Sequence, residues 1–335
     1  MDLLYKIRFM ERLLLSLLIF IGSVANTFSQ KIDLHFRKDG TFKIVQFTDI
    51  HWVPGHESTT SIKKGMEKIL DIEKPDLVVI TGDYIHGTPV FEGIDEVMKP
   101  VTERNIPFAT IFGNHDNEYG KSKEEILEYL QTIPGNLTTT IKGIPGMSNY
   151  ILSLKGSSTG KECVFLYFFD SHSYSDINNF DSYGWIKPEQ VEWYLQSSKL
   201  YNPLHLPSLA FLHIALPEYK YAAVCEKSPL IGIRREPVCA PEINTGLFAA
   251  MIQSGDIMGV FAGHDHINDF ITVWKGIALA YGRFTGGSST YCDIPDGAGA
   301  RVIELKEGER SFSTWIRLAN LQKFNKVIYP IDLTR

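Results

Sequence analysis

Five short apolar runs in this 335-residue chain each end in side chains of the kinds that hold metal ions. Phe42–Phe47 runs into Thr48, Asp49, Ile50 and His51. Leu77–Ile80 runs into Thr81, Gly82 and Asp83, and Phe108–Phe112 into Gly113, Asn114, His115 and Asp116. Leu209–Leu212 reaches His213, and Met258–Phe261 runs into Ala262, Gly263, His264, Asp265 and His266. Such runs read as buried strands. In an open α/β sheet, ligand-binding groups gather just beyond the carboxyl ends of the strands. A fold that serves all five motifs must bring five strand ends to one place. Taken singly, each motif is an ordinary turn. Taken together, with five of the ten histidines inside them, they read as one site.

Amphipathic segments separate the runs. Ser61–Glu73, Ser122–Leu130, Lys187–Leu200 and Asn244–Gln253 are the predicted helices. Ser122 and Glu125 make a capping box, and Pro188 suits a first turn. Val164–Phe169 is a further strand. This alternation predicts an α/β core with much parallel pairing. After Asp269 the pattern changes to strands and turns: Ile271–Tyr281, Ala300–Leu305 and Ser313–Leu318, punctuated by Gly286, Gly287, Gly297 and Gly299. A second sheet packed on the first is expected there. No linker or repeat divides residues 30–335, which read as one domain.

The residue types fit a particular chemistry. His, Asp and Asn suit Fe, Mn or Zn. Two ions about 3.5–4 Å apart need a bridging carboxylate. Alternation along a strand puts Asp49 and His51 on one side, where both can hold one ion. His264 and His266 share that spacing, yet can divide between two neighbouring ions. Gly82, Gly113 and Gly263 let the backbone turn tightly beside them.

The ordered set Asp49-x-His51, Gly82-Asp83, Gly113-Asn114-His115-Asp116, His213 and Gly263-His264-x-His266 resembles the calcineurin-like metallophosphoesterase superfamily, most of all its purple acid phosphatase-related branch. The resemblance spans roughly residues 42–270. It implies a two-sheet α/β sandwich flanked by helices, two divalent or trivalent transition metal ions, and hydrolysis of a small phosphorylated substrate. By the family pattern, Asp49, His51 and His266 would bind the first ion, Asn114, His213 and His264 the second, and Asp83 both. A hydroxide on the ions would attack phosphorus. His115 would contact the phosphate and protonate the leaving group, and Asp116 would orient His115. Monoesters are the expected substrates. A diesterase or nuclease of the same superfamily, and a non-catalytic binding protein, are the alternatives. One position departs: three residues after the bridging aspartate, where purple acid phosphatases carry an iron-binding tyrosine, stands His86. The tyrosinate–iron colour should be absent. His86 reads as a pocket residue or as a surface histidine.

Other substrate-binding candidates follow from position. Asn114 and His115 should face the phosphate. Trp52 and Tyr119, just after metal motifs, could wall the cleft, as could Asp170, Ser171 and His172 at another strand end. Arg234 and Arg235, in the loop before Asn244, could reach a phosphate. Each also reads as a solvated loop residue. Asn136-Leu137-Thr138 fits a glycosylation sequon.

The start of the chain reads as a targeting segment over residues 1–29. Lys6, Arg8 and Arg12 precede an apolar run from Leu13 to Ala25, followed by Asn26, Thr27 and Ser29. The run is short for a membrane span and fits a secretory signal; an uncleaved anchor is the other reading. Export to a periplasmic or extracellular space is expected, with no stable membrane insertion after cleavage. A net charge of −6 and no Lys/Arg cluster argue against a nucleic-acid partner. The pattern sets no oligomeric state. None of the four cysteines forms a CxxC pair, so a thiolate zinc site is not expected. Cys225 and Cys239 bracket a polar, proline-containing stretch, where we expect a disulfide.

Overall fold

The computed structural model describes residues 32–333; the leader expected over 1–29 lies outside them. In chain order the elements are β1 (Leu34–His35), β2 (Thr41–Phe47), α1 (Thr59–Glu73), β3 (Leu77–Thr81), α2 (Val90–Thr102), β4 (Phe108–Ile111), α3 (Lys123–Leu130), β5 (Tyr150–Lys155) and β6 (Glu162–Phe168). They continue with α4 (Pro188–Tyr201), β7 (Ser208–Phe211), α5 (Glu218–Ala222), α6 (Leu247–Ser254), β8 (Ile257–Ala262), β9 (Ile271–Trp274) and β10 (Ile277–Tyr281). Last come β11 (Gly299–Lys306), β12 (Phe312–Leu318) and β13 (Lys323–Tyr329). Two sheets result, one in the order β1-β5-β6-β7-β8-β10-β9 and the other β13-β12-β11-β2-β3-β4.

Period-two alternation explains the layers. In β2, Phe42 and Ile44 join a core shared with Leu166, Phe168, Phe211 and Phe261 of the other sheet. Their neighbours Val45 and Phe47 face outward, onto Ile62, Met66 and Leu70 of α1 and Ile94 and Val97 of α2. The outward residues Phe165, Tyr167 and Val260 of the other sheet meet Trp193 and Tyr194 of α4 and Phe248 and Met251 of α6. Each sheet is buried on both faces. This is why its central strands are continuously apolar rather than alternating. The order helix, sheet, sheet, helix is the sandwich the sequence led us to expect. Among the described residues, no helix is long and apolar enough to cross a membrane.

The capping box forms: Ser122 Oγ accepts from Glu125 N at 3.2 Å, and Ser122 N donates to Glu125 Oε2 at 2.9 Å. Pro188 occupies the first turn of α4.

Two expectations are corrected. The strands after Asp269 do not make a sheet of their own. Instead β10 pairs with β8, while β11 pairs with β2 over Arg301↔Gln46 to Lys306↔Thr41. The five motif strands are therefore split, β2, β3 and β4 in one sheet and β7 and β8 in the other. Finally, Cys225 and Cys239 are both free thiols. Their loop is closed without a covalent link, by bridges Ile231↔Ile271 and Arg234↔Asn268 and by Arg234 Nη1 donating to Ala223 O at 2.9 Å.

Candidate metal centre

The carboxyl ends of the two sheets meet through buried polar groups. Gln46 Nε2 donates to Thr81 Oγ1 at 3.0 Å and, across the sandwich, to Ala262 O at 3.1 Å. Just above it, Asp49 accepts from His264 N at 3.0 Å and from Thr48 Oγ1 at 2.7 Å. Gly263 N donates to His213 O at 3.0 Å. Gly113 abuts Asp83, and a Cβ there would overlap the Asp83 carboxylate. Asp49, His51, Asp83 and His264 all take left-handed backbone, with φ of 52°, 47°, 51° and 78°. Non-glycine residues rarely adopt it, and it clusters where function over-determines the backbone.

Two groups of metal-ligand atoms result. Asp49, His51 and His266 form one, Asp83, His213 and His264 the other, all six buried. His51 Nε2 lies 3.0 Å from His266 Nε2 and 3.6 Å from Asp83 Oδ2. His213 Nε2 lies 3.2 Å from Asp83 Oδ2 and 3.1 Å from Asn114 Oδ1. Asp83 therefore stands between the two groups, and Asn114 completes the second.

The second layer fixes the rings. His213 Nδ1 donates to Thr81 O at 2.7 Å and His266 Nδ1 to Tyr291 O at 2.9 Å, so in both rings Nε2 is the nitrogen that faces the cluster. Asn114 Nδ2 donates to Tyr174 Oη at 3.1 Å, which turns Oδ1 toward His213. Tyr291 stacks on His266 at 4.1 Å, and Tyr183 meets His264 edge-on at 4.4 Å.

Charge explains what the cluster wants. Burial opposes ionisation of Asp83, yet His213 and His51 hold its carboxyl well below the usual range. Burial likewise opposes charge on Asp49, while His266 and His213 keep its pKa at about 2. Burial pushes His51 and His264 down to about 3, leaving neutral rings. Burial acts the same way on His213, but Asp83 outweighs it and raises the ring to about 9. His51 Nδ1 and His264 Nε2 are buried without a hydrogen-bond partner. Neutral His51 and His264 rings beside the ionised Asp49 and Asp83 carboxylates are a donor set that fits transition metal ions. Two nitrogens bound to one ion at about 2.0–2.1 Å would sit little more than 3 Å apart, as His51 and His266 do.

The structure separates the remaining candidates. His86 is half-buried, its ring 4.8 Å from His51, 5.3 Å from His115 and 5.3 Å from Tyr119. His86 and Tyr119 thus line the mouth with His115. Trp52 does not: it is buried among Ile85, Ile94 and Val97, and its Nε1 donates to Glu96 Oε2 at 2.8 Å. Arg234 is held by Ala223 O, and the exposed Arg235 side chain makes no hydrogen bond or ion pair among the described residues. Asp170, Ser171 and His172 pin the end of β6, through Met147 N, Ile214 N and Gln190 respectively.

Asp116 does not orient His115. It accepts from the backbone nitrogens of Gly113, Asp83, Tyr84 and Ile85 at 2.7–3.2 Å, tying the β3 and β4 loops together. Glu118 is the carboxylate on His115, Nδ1 to Oε2 at 2.7 Å. It stands three residues on, in the tight turn closed by Glu118 N donating to His115 O at 3.1 Å, and the sequence pattern did not single it out. Tyr174, Tyr183 and Tyr291 had no local signal; they sit far along the chain from the groups they touch.

The family model for calcineurin-like phosphoesterases matches residues 42–268, from β2 through both histidines after β8. Among curated proteins the chain is similar to "Probable inactive purple acid phosphatase 14" of Arabidopsis thaliana, 31% identical over 324 residues that cover 84% of this chain and 79% of the relative. It is also similar to "Phosphatase DCR2" of Saccharomyces cerevisiae, 33% identical over 320 residues, 84% of this chain and 54% of that protein. Among solved structures it resembles a dimetal phosphatase from Danio rerio, with a TM-score of 0.59 at 12% identity, covering 86% of this chain and 98% of the other.

Proposed function

The chain belongs to the calcineurin-like phosphoesterase family, and from that premise we propose that it is a dinuclear metal-dependent hydrolase of phosphate esters. The observation that carries this reading is the pair of buried triads with Asp83 between them. Asp49, His51 and His266 would hold one ion, Asn114, His213 and His264 the other, with Asp83 on both. When bound, such a pair supplies Lewis acidity and an activated nucleophile. The chain's own residues do the rest. His115 has Nδ1 committed to Glu118, so Nε2 is the atom left to contact an ester oxygen and give a proton to the leaving group. Tyr174 keeps the Asn114 amide in register.

Three relatives carry "probable inactive" in their names and one is named a phosphatase. Each word belongs to its own protein. Metal analysis of protein purified without chelator separates the readings: two equivalents of Fe, Mn or Zn support the hydrolase, and none returns a non-catalytic binder.

Monoesters are the proposed substrates, supported by similarity to the purple acid phosphatase branch. One observation favours diesters instead. Beside the second triad lies a groove of about 410 Å³ lined by Tyr174, Tyr183, Lys220 and Glu242, room for a second organic group. Nitrophenyl phosphate against bis-nitrophenyl phosphate, with Mn, Zn or Fe, decides. A diester kcat/KM about tenfold above the monoester value with every metal overturns the monoester reading. The basic-then-apolar start supports export to a periplasmic or extracellular space. A mature protein beginning at Asn26 or Gln30 would establish it.

A further inference from the structure

Outside the two triads, the mouth carries a third group of ligand atoms. His86, His115 and Glu118 each bring one such atom within 4.8 Å of the others, and none of the three belongs to either triad. Both loops that present them are held from below. His86 N donates to Trp52 O at 2.8 Å, and His115 N donates to Asp83 Oδ1 at 2.9 Å. His115 and Glu118 already touch, Nδ1 to Oε2 at 2.7 Å, with side chains 31% and 36% exposed. An arriving ion can reach them without unfolding anything. Two imidazoles and one carboxylate with an open fourth position is a donor set that zinc accepts, at about 2.0–2.2 Å from each ligand. Rotation of the exposed Glu118 side chain is the adjustment needed.

We propose that His86, His115 and Glu118 form a third, weaker zinc site at the mouth, occupied after the two buried sites and inhibitory when filled. The inhibitory part rests on the phosphoesterase reading above; the binding part does not. A zinc ion shared with Glu118 takes His115 Nδ1 and displaces the proton held there against the Glu118 carboxylate. The metallated ring can no longer become an imidazolium, and its remaining neutral Nε2–H is too weak an acid to protonate the leaving oxygen, while the buried groups are untouched. Zinc would thus both complete the centre and, in excess, silence it. Position 86 is what makes the site possible, because neither His115 nor Glu118 alone closes it.

Zinc uptake is measured by equilibrium dialysis against buffered free zinc, followed by metal analysis. Wild-type protein should take up a third equivalent at higher free zinc than the first two. His86→Asn and Glu118→Gln should each shift that third step by more than about tenfold, since even an outer-layer partner is worth on the order of 10- to 100-fold in affinity. Ring-nitrogen NMR shifts of His86 should move with the third step and not with the first two. Turnover of an alkyl phosphate should fall as the third equivalent binds, and less so for nitrophenyl phosphate. Wild-type saturation at two equivalents, or a third step unchanged in both variants, overturns the site. If the buried centre is misread, tight uptake falls short of two while the His86-dependent step remains, so the two failures look different.

Discussion

The floor and the mouth of this site are built by opposite means. On the floor, Asp49, His51, Asp83, His213, His264 and His266 stand at strand ends and are at most 8% exposed. Ladder hydrogen bonds place their backbones, and buried carbonyls and carboxylates place their rings. At the mouth, His115, Glu118 and Tyr174 sit on loops, and Tyr174 is 51% exposed. There a side chain is placed by one or two hydrogen bonds to other loop side chains. A change on the floor should remove the centre as a whole, whereas a change at the mouth should tune it.

Asp83→Asn tests the floor where most depends on it. In the proposed centre both ions would share this carboxylate, so the variant should lose more metal than His51→Asn or His266→Asn. Activity should fall about 100- to 1,000-fold, the scale of losing a preorganised electrostatic group. Metal content equal to wild type would remove Asp83 from its place between the ions.

His115→Asn tests the mouth. On alkyl phosphates, whose leaving oxygen needs a proton, the loss should be about 100- to 10,000-fold. Nitrophenolate leaves without one, so nitrophenyl phosphate should suffer far less. Equal losses on both would make His115 a phosphate-binding group rather than an acid.

The same division governs what could be read from the sequence. Floor residues announce themselves because strand and motif are contiguous: an apolar run buried on both faces ends in Asp49-x-His51 or His264-x-His266, and local order is spatial order. The pairing was less legible. β11 lies beside β2 although some 250 positions separate Gln46 from Arg301, and nothing local to either strand names its partner. Helix α2 is not among the predicted helices; Val90, Ile94, Val97 and Val101 keep helical spacing, while Gly93 and Pro100 are poor helix formers that dilute the signal. At the mouth the sequence was a mixed guide: His86, His115 and Tyr119 do line it. Trp52 looked like a cleft wall because it follows His51, but its ring found the core beneath α2. Tyr174 gave no signal, since its partners Asn114 and Glu118 lie on another loop.

Tyr174→Phe sharpens the comparison with a smaller effect. It removes one neutral hydrogen bond to Asn114 Nδ2 while keeping the ring. Such a bond is worth about 1 kcal/mol net, or roughly fivefold in affinity at the second metal. A metal titration should show the second step weakened and the first unchanged. Unchanged affinity at both steps would mean that β4 and His213 alone fix the Asn114 amide.

Arg234→Ala should do least, and its smallness is informative. A guanidinium one loop away from the metals is what a phosphate dianion would recruit if the site needed more positive charge. The structure commits this one elsewhere: its Nη1 caps Ala223 O at 2.9 Å, and its backbone bridges Asn268. Those bonds hold the segment between α5 and β9 in place of a disulfide. The variant should therefore lose about 0.5–1.5 kcal/mol of stability, the net worth of one hydrogen bond, read as a lower melting temperature. Its kcat/KM for nitrophenyl phosphate should stay within about twofold of wild type, as for a surface change away from the site. A rise in KM with the melting temperature unchanged would invert the assignment. It would mean that the loop swings Arg234 inward when substrate binds, and that the mouth borrows charge the resting structure keeps outside.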